Sequence, residues 1–245
     1  MKVLGFTPYH MVEVIKEGHM KVLQEATIAQ LNRFSGIQRY DKADFDKWMG
    51  NFDCAVEIPS FMGMHYLRSY AEDPGIRFIL TERDPSRWCR SFDNTAGYVV
   101  DLARTFPTCV LKYFDVTLRD FLYLNQILYW AFSDGANPGD PNSDAAMRRN
   151  YIEYIQSVKE AVPKDRLLVV NLEDGLGWEQ ICPFLEMSVP DEKYPGRNTP
   201  EDFRVLVSSI MTPKLQAAAL RLSMVAVPVV GVFSYVGWRL LSKSA

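Results

Sequence analysis

Arg166–Asn171, RLLVVN, is a continuous apolar run rather than an alternation of apolar and polar residues. A strand written this way is buried on both faces, the condition of a strand inside a parallel sheet covered by helices. Arg77–Thr81, RFILT, reads as a second short buried strand, and Asp53–Ile58, DCAVEI, as a third. Helical patterns separate them. Glu13–Phe34 carries a patchy helical face, and Asp44–Met49 and Met62–Tyr70 are short helices, the latter stopped by Asp73-Pro74-Gly75. Later come a helix from Pro85 to the region of Val100, a long aromatic helix over Leu111–Phe132 and another over Ala145–Ala161. Helix and strand in this order predict an α/β fold, a three-layer parallel sheet flanked by helices.

The turn after the Arg77–Thr81 strand carries the chemistry. Arg83 sits just past the strand's carboxyl end, Pro85 suits the first turn of a helix, and Ser91 lies about two turns further on. Ligands of open α/β sheets bind outside the carboxyl ends of strands, and helix N-termini favour anions. An arginine and a serine placed there can share one phosphate; an ordinary strand-to-helix turn with a surface arginine has the same spacing.

Composition removes several classes. A net charge of −3 leaves no footprint for non-specific nucleic-acid binding. Cys54, Cys89, Cys109 and Cys182 are scattered without a CxxC pair, which argues against a zinc site and a disulfide framework. With only His10, His19 and His65, a histidine-rich metal centre is not expected. No Gly-x-Gly-x-x-Gly follows any strand, which excludes a nicotinamide-dependent reading. Asp134–Asp140 offers oxygen ligands, but its prolines and the absent closing glutamate spoil a calcium loop. The aromatic stripe of Phe114, Phe121, Tyr123, Tyr129, Trp130 and Phe132 suits core packing, as do Trp88 and Trp178.

The C-terminus has its own signature. Leu222–Trp238 contains no charge over seventeen residues and is bracketed by Arg221 and Arg239. Crossing a bilayer takes about 20 apolar residues, with about 17 as the lower limit, and flanking arginines that snorkel extend the reach. Residues 222–241 are therefore expected to anchor the chain in a membrane, with the main domain on the cytoplasmic side. Residues 213–245 form that tail and residues 1–212 the α/β domain.

Taken together, five segments resemble the fungal-type sulfotransferase family of the P-loop nucleoside-triphosphatase-like fold. They are Leu4–Met11, Asp53–Pro59, Arg77–Ser91, Val162–Leu185 and Val189–Asn198, spread over about 190 residues. The resemblance implies 3′-phosphoadenosine 5′-phosphosulfate (PAPS) as cosubstrate without a metal, and a small-molecule acceptor bearing a hydroxyl or amine, in fungal secondary metabolism. It also implies that Arg83 and Ser91 hold the 3′-phosphate, with Arg197 closing over the same end. Glu57 falls where family members often carry an acidic residue, and becomes a candidate catalytic base; His10 is the other, because an unperturbed histidine titrates near neutral pH. Glu57 capping a helix and His10 as a satisfied loop residue are the alternatives. Family members hold the 5′-phosphosulfate with a glycine-rich loop of the form GxPRTGTxS, which does not occur in these 245 residues. The expectation is thus a family domain lacking the first strand and its phosphate loop. Either an upstream start or a catalytically inactive, membrane-anchored relic acting as a binding protein fits that reading.

Overall fold

The computed structural model describes residues 1–32, 34–196 and 199–242. β1 (Pro8–Tyr9) is followed by α1 (Met11–Lys16), α2 (Met20–Leu31) and α3 (Lys42–Met49), then by β2 (Cys54–Ala55), α4 (Ile58–Ala71) and β3 (Phe78–Glu82). Next come α5 (Pro85–Phe92), α6 (Tyr98–Arg104), α7 (Thr108–Leu111), α8 (Val116–Ser133) and α9 (Ser143–Ala161). β4 (Leu167–Asn171), α10 (Trp178–Leu185) and α11 (Pro200–Leu241) complete the order.

The architecture is α/β, and every strand pairing is parallel. β1 pairs with β2 through Pro8↔Cys54 and Tyr9↔Ala55. β3 pairs with β4 over five positions, from Phe78↔Leu167 to Glu82↔Asn171. Among the described residues these are two separate two-stranded ladders, joined in sequence by α4. Parallel pairing puts the carboxyl ends of each pair side by side, so the residues after β1 and β2 face one another, as do those after β3 and β4.

Three boundaries differ from the sequence reading. The helix expected over Glu13–Phe34 is split into α1 and α2 at Gly18, whose φ of +73° is a left-handed conformation that ends α1. The strand expected over Asp53–Ile58 is only Cys54–Ala55. Asp53 instead accepts the Thr7 N–H on its side chain at 2.7 Å, and α4 starts at Ile58, with Pro59 in its first turn. The long aromatic helix begins at Val116 because Asp115 caps it, accepting the Leu118 N–H at 2.8 Å.

α8 is the centre of the core. Leu118, Leu122, Leu124 and Leu128 are buried along it, together with Phe121, Tyr129 and Phe132 of the aromatic stripe, whereas Tyr123 and Trp130 reach solvent. α2 is fastened to α8 by the buried Gln24, which donates to the Asp120 carbonyl at 2.7 Å. A smaller cluster of Leu67, Leu80, Val158 and Val162 packs α4 and α9 against β3. Trp88 lies between Phe92 and Tyr151, nearly parallel to both, with centroid distances of 4.9 and 4.5 Å. Trp178 is buried and donates its indole N–H to the Glu192 carbonyl.

α11 runs without a break through the boundary expected at residue 212. Val207, Met211 and Ala218 bury its first half against the domain. Beyond Arg221 the helix continues with Val225, Val229, Val232 and Phe233 exposed. Among the described residues it is long and apolar enough to cross a membrane, with a mean hydropathy of 1.8 in its most apolar window and 6% of that window buried.

Candidate functional site

β1 ends in Tyr9, which is fully buried and packs edge-on to Trp48 and Phe52. This anchor fixes the direction in which the chain leaves the strand, and His10 follows as the first residue outside it. On the neighbouring strand the ladder continues one step, with the Val56 N–H donating to the Tyr9 carbonyl at 2.9 Å. Glu57 comes next. The register therefore delivers His10 and Glu57 to the same edge, and their side chains meet with Nε2 of His10 3.0 Å from Oε2 of Glu57.

The backbone at Glu57 is strained. Its φ of 70° and ψ of −50° are unfavourable for any residue with a Cβ, and the Ile58 N–H donates to the Val56 carbonyl at 2.8 Å across it. This is a γ-turn of the rare positive-φ form. Strained backbone of this kind costs on the order of 1–3 kcal/mol and concentrates at functional sites. Glu57 occupies the N-cap position of α4, yet its side chain makes no capping bond. The helix-capping role is therefore not the one its carboxylate plays.

The His10 imidazole is held above its ordinary pKa, first by its hydrogen bond to Glu57, against a smaller lowering by burial. Beside it opens a cavity of about 510 Å³. Val12, Val56, Trp178 and Ile181 line its apolar wall, and Lys2, Glu13 and Lys16 bring charge of both signs, with Lys2 and Glu13 paired at 3.6 Å. Such a space suits an apolar ligand with a polar group directed at His10. Burial, followed by the neighbouring Asp53, pushes the Cys54 thiol up to about 11, so this cysteine on β2 stays protonated.

The second predicted cluster lies after β3. Arg83 is fixed through its backbone, whose N–H donates to the Tyr151 hydroxyl at 3.0 Å. Its side-chain Nε is buried with no hydrogen-bond partner. A buried, unpaired guanidinium N–H is costly, and an anion supplied from solution would satisfy it. Ser91 is exposed on α5, and its hydroxyl has no partner among the described residues. The helix end itself differs from the expectation. Asp84 caps α5 by accepting the Arg87 N–H at 2.9 Å, and Glu173 accepts the Asp84 N–H at 3.2 Å. Protein carboxylates already occupy the amides of this helix N-terminus, so an anion grip here rests on side chains. Arg197 lies outside the described residues.

Sequence reading missed a third feature. Between α5 and α6 the helix widens into a π-type turn over Asp93–Gly97. Asp93 accepts from the Tyr129 hydroxyl at 2.6 Å, and that hydroxyl also meets Ser143 Oγ at 2.8 Å. Burial raises the Asp93 carboxyl above the usual range, partly offset by the Tyr129 hydrogen bond. Gly97 is the sequence signal: a Cβ there would come within 3.3 Å of the Tyr129 ring. The turn borders a polar cavity of about 540 Å³ with Ser86, Arg90, Asp144 and Arg148 on its walls.

With this geometry in place, comparison with known proteins gives a consistent answer. Residues 1–203 match the family model described as a sulfotransferase domain. The chain is also 31% identical over 199 residues to "Ava biosynthesis cluster protein M" of Aspergillus versicolor, covering 79% of this chain and 72% of the relative.

Proposed function

Because this chain belongs to the sulfotransferase family, we propose that it transfers a sulfuryl group from PAPS to a hydroxyl or amine of a small apolar molecule, using His10 as base. The observation that carries the reading is the 3.0 Å pair of His10 and Glu57 on a strained turn beside an apolar cavity. With Nε2–H directed at Glu57, neutral His10 presents Nδ1 as the proton acceptor. Glu57 holds that tautomer and stabilises the imidazolium formed when the acceptor gives up its proton. The apolar wall beside His10 gives the acceptor a surface on which to dock within reach of the base.

Arg83 and Ser91 are the groups that hold the 3′-phosphate end, with Arg197 as a further contributor. The unpaired Nε of Arg83 fits this role, because a phosphate oxygen is the partner it lacks. PAPS, when bound, supplies the activated sulfuryl group. The relative's name places that protein in a biosynthesis cluster, which supports an acceptor drawn from fungal secondary metabolism. The uncharged stretch Leu222–Trp238 of α11 supports attachment to a membrane; we place the α/β domain on its cytoplasmic side.

A second reading, a non-catalytic binding protein, is favoured by the carboxylates of Asp84 and Glu173 at the amides after β3. Two measurements separate the readings. Adenosine 3′,5′-bisphosphate should raise the melting temperature of the full chain, and His10→Gln should abolish sulfuryl transfer while preserving that shift. Stabilisation without turnover in the native chain selects the binding protein. No stabilisation at saturating nucleotide removes the PAPS site.

A further inference from the structure

Phe106, Val110, Tyr113 and Val116 are large apolar side chains clustered in eleven residues, and all four face solvent, Phe106 at 78% and Tyr113 at 73% exposure. Phe106, Val110 and Tyr113 belong to the connector from α6 to α8, which carries α7 and packs along α11, and Val116 is the first residue of α8. A cluster of this kind on a water-soluble surface marks a contact site. Its position relative to the tail identifies what it contacts.

Arg221 is the last charged residue before the seventeen-residue uncharged stretch. Its guanidinium donates to the Phe114 carbonyl at 2.8 Å and to the Asp115 carboxylate at 2.6 Å. The connector is therefore at the level of α11 where the polar part of the helix ends. Beyond it α11 continues, and at 1.5 Å per residue the stretch to Trp238 spans about 26 Å, near the thickness of a bilayer's hydrocarbon core. If that stretch enters a membrane, the level of Arg221 is the membrane surface, and the connector lies in the headgroup layer.

The chemistry of the connector matches that layer. Tyr113 has an aromatic body and a polar tip, the type enriched at membrane interfaces. Lys112 holds its ammonium 5.6 Å from the Tyr113 ring centroid and donates to the Ala103 carbonyl at 3.0 Å. Lys112, whose ammonium meets a carbonyl and a ring but no carboxylate among the described residues, places positive charge on this rim, which complements anionic headgroups. The exposed rings then bury apolar surface that water would otherwise cover.

We propose that the α6–α8 connector, through Phe106, Val110, Tyr113 and Val116, rests on an anionic bilayer surface and fixes the domain's orientation above it. This inference rests on the reading of α11 as a membrane anchor. A rim contact of this kind holds the candidate site at constant height and angle to the lipid, so an apolar acceptor partitioned into the membrane meets it from one direction.

The test reads both elements in one preparation. Full-length protein, with Cys54 and Cys109 replaced by serine, receives a single spin label through Tyr113→Cys, Val230→Cys or Ile152→Cys; Val230 is exposed halfway along the uncharged stretch. Each form is reconstituted with phosphatidylcholine vesicles containing phosphatidylserine. The expected result is a several-fold lower collision rate with an aqueous nickel chelate at positions 113 and 230 than at 152. A protected 230 with a water-accessible 113 overturns the rim contact and leaves the anchor standing. A water-accessible 230 overturns the anchor, and the rim with it. Equal protection at 152 also overturns the proposal, because the contact would not be specific to the connector.

Discussion

Glu57 occupies the N-cap position of α4, but its carboxylate turns away from the helix to meet His10 Nε2 at 3.0 Å. A residue that caps would stabilise α4; one that pairs with an imidazole on a neighbouring strand end tunes a titration. The direction of that tuning is upward, with the Glu57 hydrogen bond as its main cause.

The pH dependence of transfer follows from the sign. His10 acts as base only when neutral, so activity is expected to rise with pH through an inflection above the ordinary histidine value of about 6.5. Glu57→Gln removes the charge that raises it, and the inflection should move down while the maximal rate falls. For stability the order is reversed. A raised folded-state value means the pair contributes fully below the unfolded value and is lost as pH rises through the folded one. Both side chains are more than a third exposed, so the contribution is at the exposed-pair scale of about 0–1 kcal/mol. Rate profiles of wild type and variant check this; an inflection that does not move separates Glu57 from His10.

Backbone strain at the same residue gives an opposite pair of effects. Glycine accepts a φ of 70° without penalty, so Glu57→Gly should stabilise the fold by about 1 kcal/mol. Activity should fall in the same variant. Thermal unfolding together with turnover tests the pair of outcomes, with Glu57→Ala as the reference that also lacks the His10 pair; a glycine variant no more stable than the alanine one would show that the turn is not strained.

The parts of this site that were legible in the sequence are those written locally. RFILT and RLLVVN announced β3 and β4 as continuous apolar runs, but the burial on both faces that such runs imply is not reached: only Leu80 and Val170 are buried, and Val169 is exposed. Glu57 was visible as a titratable residue at a strand end and His10 only as a titratable loop residue; β1 itself, two residues long, was missed, and the contact depends on the register of two strands more than forty residues apart. The γ-turn at Glu57 had no signal, since glutamate is not a residue that advertises positive φ. Arg83 was legible as a strand-end arginine, whereas the capture of the α5 N-terminus by Glu173 arises from a chain-distant loop. The π-type turn at Asp93–Gly97 breaks a pattern that periodicity reads as one helix.

Arg83 carries a testable asymmetry. Its buried, unpartnered Nε costs free energy in the ligand-free protein and gains a partner when phosphate binds. Arg83→Met should leave ligand-free stability unchanged or slightly higher, and abolish the thermal shift given by adenosine 3′,5′-bisphosphate. Arg83→Lys retains charge without the planar fork, so a reduced shift is expected. A full shift in the methionine variant would separate the nucleotide from this residue.

Asp115 and Arg221 determine how the tail leaves the domain. Asp115 is buried, and burial raises its carboxyl, but the Leu118 N–H and the Arg221 guanidinium outweigh this and hold it below the usual range. Its contribution is therefore present above the unfolded-state value and is lost as pH falls through the folded one. Asp115→Ala removes the cap of α8, at about 1 kcal/mol, and frees Arg221. Arg221 is half exposed, so its release leaves no buried unpaired charge, and the fold should survive. What changes is the junction: without the carboxylate, Arg221 keeps only its hydrogen bond to the Phe114 carbonyl beside the apolar packing, and the peptide bond after Arg221 should open more often. Trypsin under native conditions is expected to cut the variant after Arg221 several-fold faster than wild type, while cuts elsewhere keep their rates. Equal cleavage in both proteins would mean that the apolar contacts of Val207, Met211 and Ala218 hold the helix without the ion pair.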